Sequence, residues 1–134
     1  MKKDIAKPTV KNVTVAVSKK TNELNVDEWF VYLINQNNFD IENTLVTSKG
    51  YGEQGNEIQK TSTLRHFLQT VSANSAVLVE PIQEEVFHLN NEYWVSYYVE
   101  SKIFDKKFIF LPESIKDEHM TYIKELDTKG ILHS

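Results

Sequence analysis

The chain has 134 residues, 40% of them hydrophobic and 25% charged, with a formal net charge of −4 and no cysteine. That length and balance fit one soluble globular domain with its own core and exclude a disordered or fibrous chain. The lack of cysteine removes disulfides, zinc–thiolate sites, iron–sulfur clusters and thiol nucleophiles, and no apolar run is long enough for a transmembrane helix.

The opening MKKDIAKPTVKNVTVAV begins with lysines and continues with a short alternating stretch, without the continuous apolar segment of a signal peptide. A cytoplasmic location is therefore expected. Lys2, Lys3, Lys7, Lys11, Lys19 and Lys20 form a loose basic run, and residues 1–11 read as a flexible lysine-rich tail. Residues 68–134 carry six Lys/Arg against eleven Asp/Glu. This acidity argues against a broad phosphate-binding footprint and leaves nucleic-acid binding through the basic N-terminus as a minor reading.

Residues 12–18, NVTVAVS, place Val13, Val15 and Val17 on one face and Thr14 and Ala16 on the other, the period-two pattern of a half-buried strand. After the turn residues KKTNELN, the apolar run EWFVYLIN at 28–35 suits a central strand buried on both faces. QNNFD reads as a turn. TLVTSKGY at 44–51 is β-prone, EQGN interrupts it, and EIQKTSTL follows, so two strands around a tight polar turn are expected. In TSTLRHFLQTV, Leu64, Phe67, Leu68 and Val71 have helical spacing, but Thr61, Thr63 and Val71 are poor helix formers. Both readings of 61–71 stay open, with strand favoured. SAVLVEPI at 75–82 ends at Pro81, which suits an edge strand. EYWVSYYVE at 92–100 and FDKKFIFL at 104–111 form a second expected hairpin. After Pro112, Ile115, Tyr122, Ile123 and Leu126 could line a short helix that Gly130 would stop.

Gly50, Gly52 and Gly55 spell G-x-G-x-x-G, the dinucleotide pattern. That fingerprint needs a helix to open directly after the glycines, and NEIQKTST does not provide one. Asn56 and Glu57 likewise stand where a P-loop needs Lys and Ser/Thr. A bulged strand and hairpin turn using positive-φ glycines is the preferred reading.

No catalytic frame emerges. His66, His88, His119 and His133 are scattered without the i, i+4 spacing of a compact metal motif, so no metal or cofactor is expected. Ser48, Ser62 and Ser96 lack a nucleophile-elbow glycine frame. Glu84, Glu85, Glu92 and Glu100 do acid–base work only where the fold shifts them. On a strand, Arg65 and His66 point to opposite faces. Even so, pairing of 44–51 with 57–68 makes Lys49, Tyr51, Arg65 and His66 the candidate ligand-binding residues, for a small-ligand binder or a modest hydrolase. In EYWVSYYVE both strand parities carry large rings, so one face presents Trp94 and Tyr98 to the C-terminal segment, a ligand or an interface partner.

Taken together, YLIN, SKGYG, TSTLRHF, NNEYWVSYYVE and DKKFIF with PESI resemble a family of small bacterial proteins of unknown function, from about residue 10 to the end. Some members carry a label borrowed from phenylalanyl-tRNA synthetase. A synthetase catalytic domain is much longer than this chain, and with Arg65 as the sole arginine there is no ATP-binding arginine motif. The resemblance implies no activity, cofactor or catalytic residue.

The expected fold is all-β: an antiparallel β-sandwich of immunoglobulin-like or fibronectin-like type over 12–112, with a short segment, 113–134, of helical spacing packed on it. A small partly open barrel is the second choice. The expected function is a non-catalytic cytoplasmic interaction module that self-associates as a homodimer or binds another protein. A small ligand at Lys49, Tyr51, Arg65 and His66 is the alternative, and no membrane partner is expected.

Overall fold

The computed structural model describes residues 8–133. Ten strands fill it: β1 (Val13–Thr21), β2 (Asp27–Asn35), β3 (Ile41–Gln54), β4 (Glu57–Lys60), β5 (Leu64–Val71), β6 (Ser75–Ile82), β7 (Asn90–Val99), β8 (Lys102–Phe110), β9 (Thr121–Ile123) and β10 (Thr128–Leu132). Two antiparallel sheets pack face to face. One runs β6-β2-β1-β10-β9; the other runs β4-β3-β7-β8, with β5 also pairing β3. The order β6-β2-β1 facing β3-β7-β8 is that of the E-B-A and C-F-G strands of an immunoglobulin-like sandwich. Residues 61–71 form a strand from Leu64 onward, not a helix. Residues 1–7, most of the expected tail, lie outside the described residues.

Alternation builds the core. Val13, Val15 and Val17 of β1, and Val31 and Leu33 of β2, face Ile41 and Val46 of β3, Tyr93, Val95 and Tyr97 of β7, and Phe108 and Phe110 of β8. Tyr97 stacks on Phe104 with centroids 5.2 Å apart.

The outer face of β1 and β2 is also covered, contrary to the half-buried expectation for β1. Ala16 and Ile34 pack beneath Ile123, with Ala76 and Leu126 beside them. The cover comes from the C-terminal segment, where one 3₁₀ turn, Asp117–His119, precedes the β9–β10 hairpin. Gly130 lies inside β10, opposite Ser18, and stops no helix.

Asn35 ties the two sheets at one end. Its Nδ2 donates to Phe39 O (2.9 Å), Val71 O (3.2 Å) and Ser72 O (3.1 Å), and its Oδ1 accepts from the backbone N and Nδ2 of Asn37. A fully buried amide is stable only when its polar atoms are satisfied in this way.

Candidate functional site

The β3–β4 turn is the two-residue loop Gly55–Asn56, flanked by the pair Gln54–Glu57, with Gly55 at φ +64°. Glycine first at positive φ suits a hairpin turn that matches strand twist. Gly50 and Gly52 play a different part from the expected positive-φ role. They face the sandwich interior within β3, where Leu89 and the Thr61 side chain fill the space a Cβ would need. The G-x-G-x-x-G spacing therefore records a turn and two close packings.

Downstream, the hairpin slips by one residue. Tyr51 pairs with Lys60, yet Ser48 pairs with Leu64, so 49–50 oppose 61–63. Thr61 seals this bulge: its Oγ1 accepts from Gly50 N at 2.7 Å and donates to Ser62 O at 2.9 Å. The slip reverses the facing of the residues that follow, up to a second register shift near Gln69. Arg65 thereby pairs with Thr47 on the outer face, and His66 pairs with Val46 on the inner face.

The four sequence candidates are accordingly split. Lys49, Tyr51 and Arg65 share the outer face; His66 enters the sandwich. On the outer side, Lys49, Arg65, Glu92 and Trp94 border an open groove of about 490 Å³. Glu92 is only 6% exposed. It accepts from Tyr51 OH at 3.1 Å and has Lys49 Nζ at 3.8 Å and Lys107 Nζ at 4.0 Å. Burial, and then the neighbouring Glu92 carboxylate, raise the Tyr51 phenol above its ordinary value. Lys107 also lies 5.2 Å from the Trp94 ring centroid.

Trp94 and Tyr98 remain 43% and 38% exposed, because the C-terminal hairpin joins the opposite sheet instead of covering them. Phe67 (60%) and Ile103 (48%) extend the same apolar strip. A bulge at Asn43 turns Glu42 outward beside Tyr98, and Asp105 pairs with Ser96. The outer face is thus cationic at the Lys49, Arg65 and Lys107 end and anionic at the Glu42 and Asp105 end.

Inside the sandwich, His66 meets a carboxylate that sequence reasoning did not single out. Glu80 Oε1 lies 2.6 Å from His66 Nε2 and accepts from Ser48 Oγ at 2.8 Å; Oε2 accepts from Tyr93 OH at 3.2 Å. Burial, and then the Glu80 charge, raise the Tyr93 phenol strongly. Plain alternation in SAVLVEPI would put Glu80 with Ala76 and Leu78 on the outer face. A bulge intervenes, since Tyr32 pairs with Leu78 and Val31 with Glu80, which turns both Val79 and Glu80 inward. Pro81, which has no N–H to donate to the ladder although pairing continues through it to Ile82, was the available sequence signal.

The remaining histidines serve local bonds. His88 Nε2 lies 2.6 Å from Gln59 Oε1, His119 Nδ1 lies 2.8 Å from Ser114 O, and His133 Nε2 lies 3.1 Å from Ile109 O. Among the described residues no group of three His, Asp or Glu could hold a metal ion. No helix among them is long and apolar enough to cross a membrane. Of the basic N-terminal run, Lys19 pairs with Asp117 at 2.7 Å and Lys20 lies 5.9 Å from the Tyr32 ring centroid, while Lys2, Lys3 and Lys7 fall outside the described residues. Comparison with family models, with curated proteins and with solved structures finds no match to this chain.

Proposed function

We propose that the protein is a non-catalytic interaction module that self-associates through the outer face of the β5-β3-β7-β8 sheet. The observation that carries this reading is the exposed strip of Phe67, Trp94, Tyr98 and Ile103 on one sheet face. Aromatic residues dominate interface cores, and a contiguous exposed apolar patch of this kind marks an interaction surface. A second copy fits best because the face is polarised along its strands. A two-fold axis through its centre sets Lys49, Arg65 and Lys107 of one copy against Glu42 and Asp105 of the other.

Four strands about 4.8 Å apart and roughly eight residues long offer on the order of 500 Å² per copy. That is below the roughly 800 Å² per partner typical of stable complexes, so the association is reversible. The reading places the module in the cytoplasm, since a cysteine-free chain needs no oxidising compartment.

Light scattering coupled to size exclusion, run across a concentration series at low and high salt, tests it. A concentration-dependent dimer that weakens with salt and disappears in Phe67→Glu supports the reading. A monomer at every concentration removes it.

A further inference from the structure

We infer that the cleft between the edges of the two sheets is a separate binding site for a small organic ammonium ion. The cleft measures about 290 Å³ and opens where the start of β5 faces the end of β6. Leu64, Pro81, Ile82 and Val86 give it an apolar wall, and Ser48, Glu80, Asn91 and Tyr93 line it with polar atoms. An apolar body with a few convergent polar groups is the usual form of a small-molecule site.

The hydrogen bonds decide what such a ligand carries. The donors set back from solvent in this polar wall are already committed, while Ser62 and Gln83 are exposed residues of its lining. Ser48 Oγ and Tyr93 OH both donate to Glu80, and Asn91 Nδ2 donates to Val86 O (2.9 Å) and Leu89 O (3.2 Å). Thr61, also on the wall, donates to Ser62 O. What the wall still offers is acceptor capacity. An ionised carboxylate has about four acceptor sites. Ser48, His66 and Tyr93 account for three on Glu80, leaving capacity for one more donor. Lys49 borders the cleft as well, but its Nζ belongs to the outer face, 3.8 Å from Glu92 Oε2.

Charge points the same way. Among the described residues the one basic group recorded within 4 Å of Glu80 is His66, and no lysine or arginine ion pair is recorded for it. A mostly buried carboxylate with no lysine or arginine beside it gains most from a ligand that brings a permanent positive charge and N–H donors. An anionic or acceptor-only ligand would meet the Glu80 carboxylate and the committed hydroxyls of Ser48 and Tyr93. An amine with a short aliphatic or aryl body satisfies both the apolar wall and Glu80.

The test is a titration of the ¹⁵N-labelled full chain, followed by NMR, with phenethylammonium and, in parallel, 2-phenylethanol, which keeps the ring and removes the charge. The amine is expected to give saturable shifts at Ser48, Leu64 and Val86, with the alcohol at least about tenfold weaker. Glu80→Gln is expected to lose a similar factor. Leu64→Trp, at a half-exposed position on the cleft wall, retains the carboxylate but fills the cleft and should abolish binding. The absence of saturable shifts with the amine, equal affinity for amine and alcohol, or unchanged affinity in Glu80→Gln would each overturn the assignment. Should Glu80→Gln fail to fold, the amine–alcohol pair and Leu64→Trp still decide the matter. Phe67→Glu leaves the cleft intact and should bind the amine as the wild type does, so this site and the dimer face stand or fall separately.

Discussion

His66 Nε2 lies 2.6 Å from Glu80 Oε1, joining the edge strand β5 of one sheet to the edge strand β6 of the other. The same carboxylate collects Ser48 and Tyr93, so one side chain closes the open edge of the sandwich. Glu80→Ala would strand two hydroxyls between the sheets, and a loss of about 2–3 kcal/mol in urea unfolding is expected. His66→Ala removes a partly exposed partner and should cost about 1 kcal/mol. Equal stability of Glu80→Ala and wild type would refute the bridging role.

Asn35 performs a comparable task at its end of the sandwich, donating to carbonyls of Phe39, Val71 and Ser72. Asn35→Leu keeps the approximate volume and removes every bond, leaving buried carbonyls unpaired. A cost of about 3 kcal/mol is expected. Asn35→Asp should fare no better, because a carboxylate cannot donate to three carbonyl oxygens. Chemical denaturation of both variants checks the point; a change under about 0.5 kcal/mol in either contradicts it.

The β7–β8 hairpin turns through Glu100 and Ser101 at φ 48° and 69°. Two successive positive-φ residues make a turn that Asn-Gly fills without strain, whereas Glu and Ser pay a backbone cost there. Glu100→Asn with Ser101→Gly should raise stability by up to about 1 kcal/mol, read as a higher Tm. A lower Tm would show that the native side chains make contacts worth more than the strain.

Burial raises the Tyr97 phenol from 10.0 to about 12. Tyr93 moves in the same direction, through burial first and then Glu80. Both keep their proton in the folded chain at a pH where the unfolded chain has released it. The folded state therefore binds more protons, and stability falls as pH rises. The contribution is complete below pH 10 and is lost as pH climbs through about 12. Tyr97→Phe retains the stack on Phe104 and should flatten this alkaline decline in unfolding measurements. An unchanged slope would mean that other groups set it.

Much of the architecture is legible from residue types. Alternation in NVTVAVS, EYWVSYYVE and FDKKFIFL locates β1, β7 and β8, and SAVLVEPI coincides with β6, because a period-two pattern is a property of the residues themselves. The C-terminal segment was less legible. Ile115, Ile123 and Leu126 mimic helical spacing, yet strand pairing of β10 with β1 outweighs local preference. The candidate site was only half visible. Lys49, Tyr51 and Arg65 share a face, but a one-residue bulge sealed by Thr61 sends His66 inward, and a second bulge at Val79–Glu80 brings a carboxylate to meet it.

The sequence by itself determined that this is an all-β chain without cysteine, rich in strand aromatics, and it located the strands before Pro112 to within a few residues, whereas β9 and β10 read as a short helix. Only the tertiary structure decided register, and with it which side chains share a face. Each bulge adds one residue to one strand and inverts the facing of the residues beyond it, and whether the chain accepts that insertion depends on partners distant in sequence: Gly50 for Thr61, and Ser48, His66 and Tyr93 for Glu80.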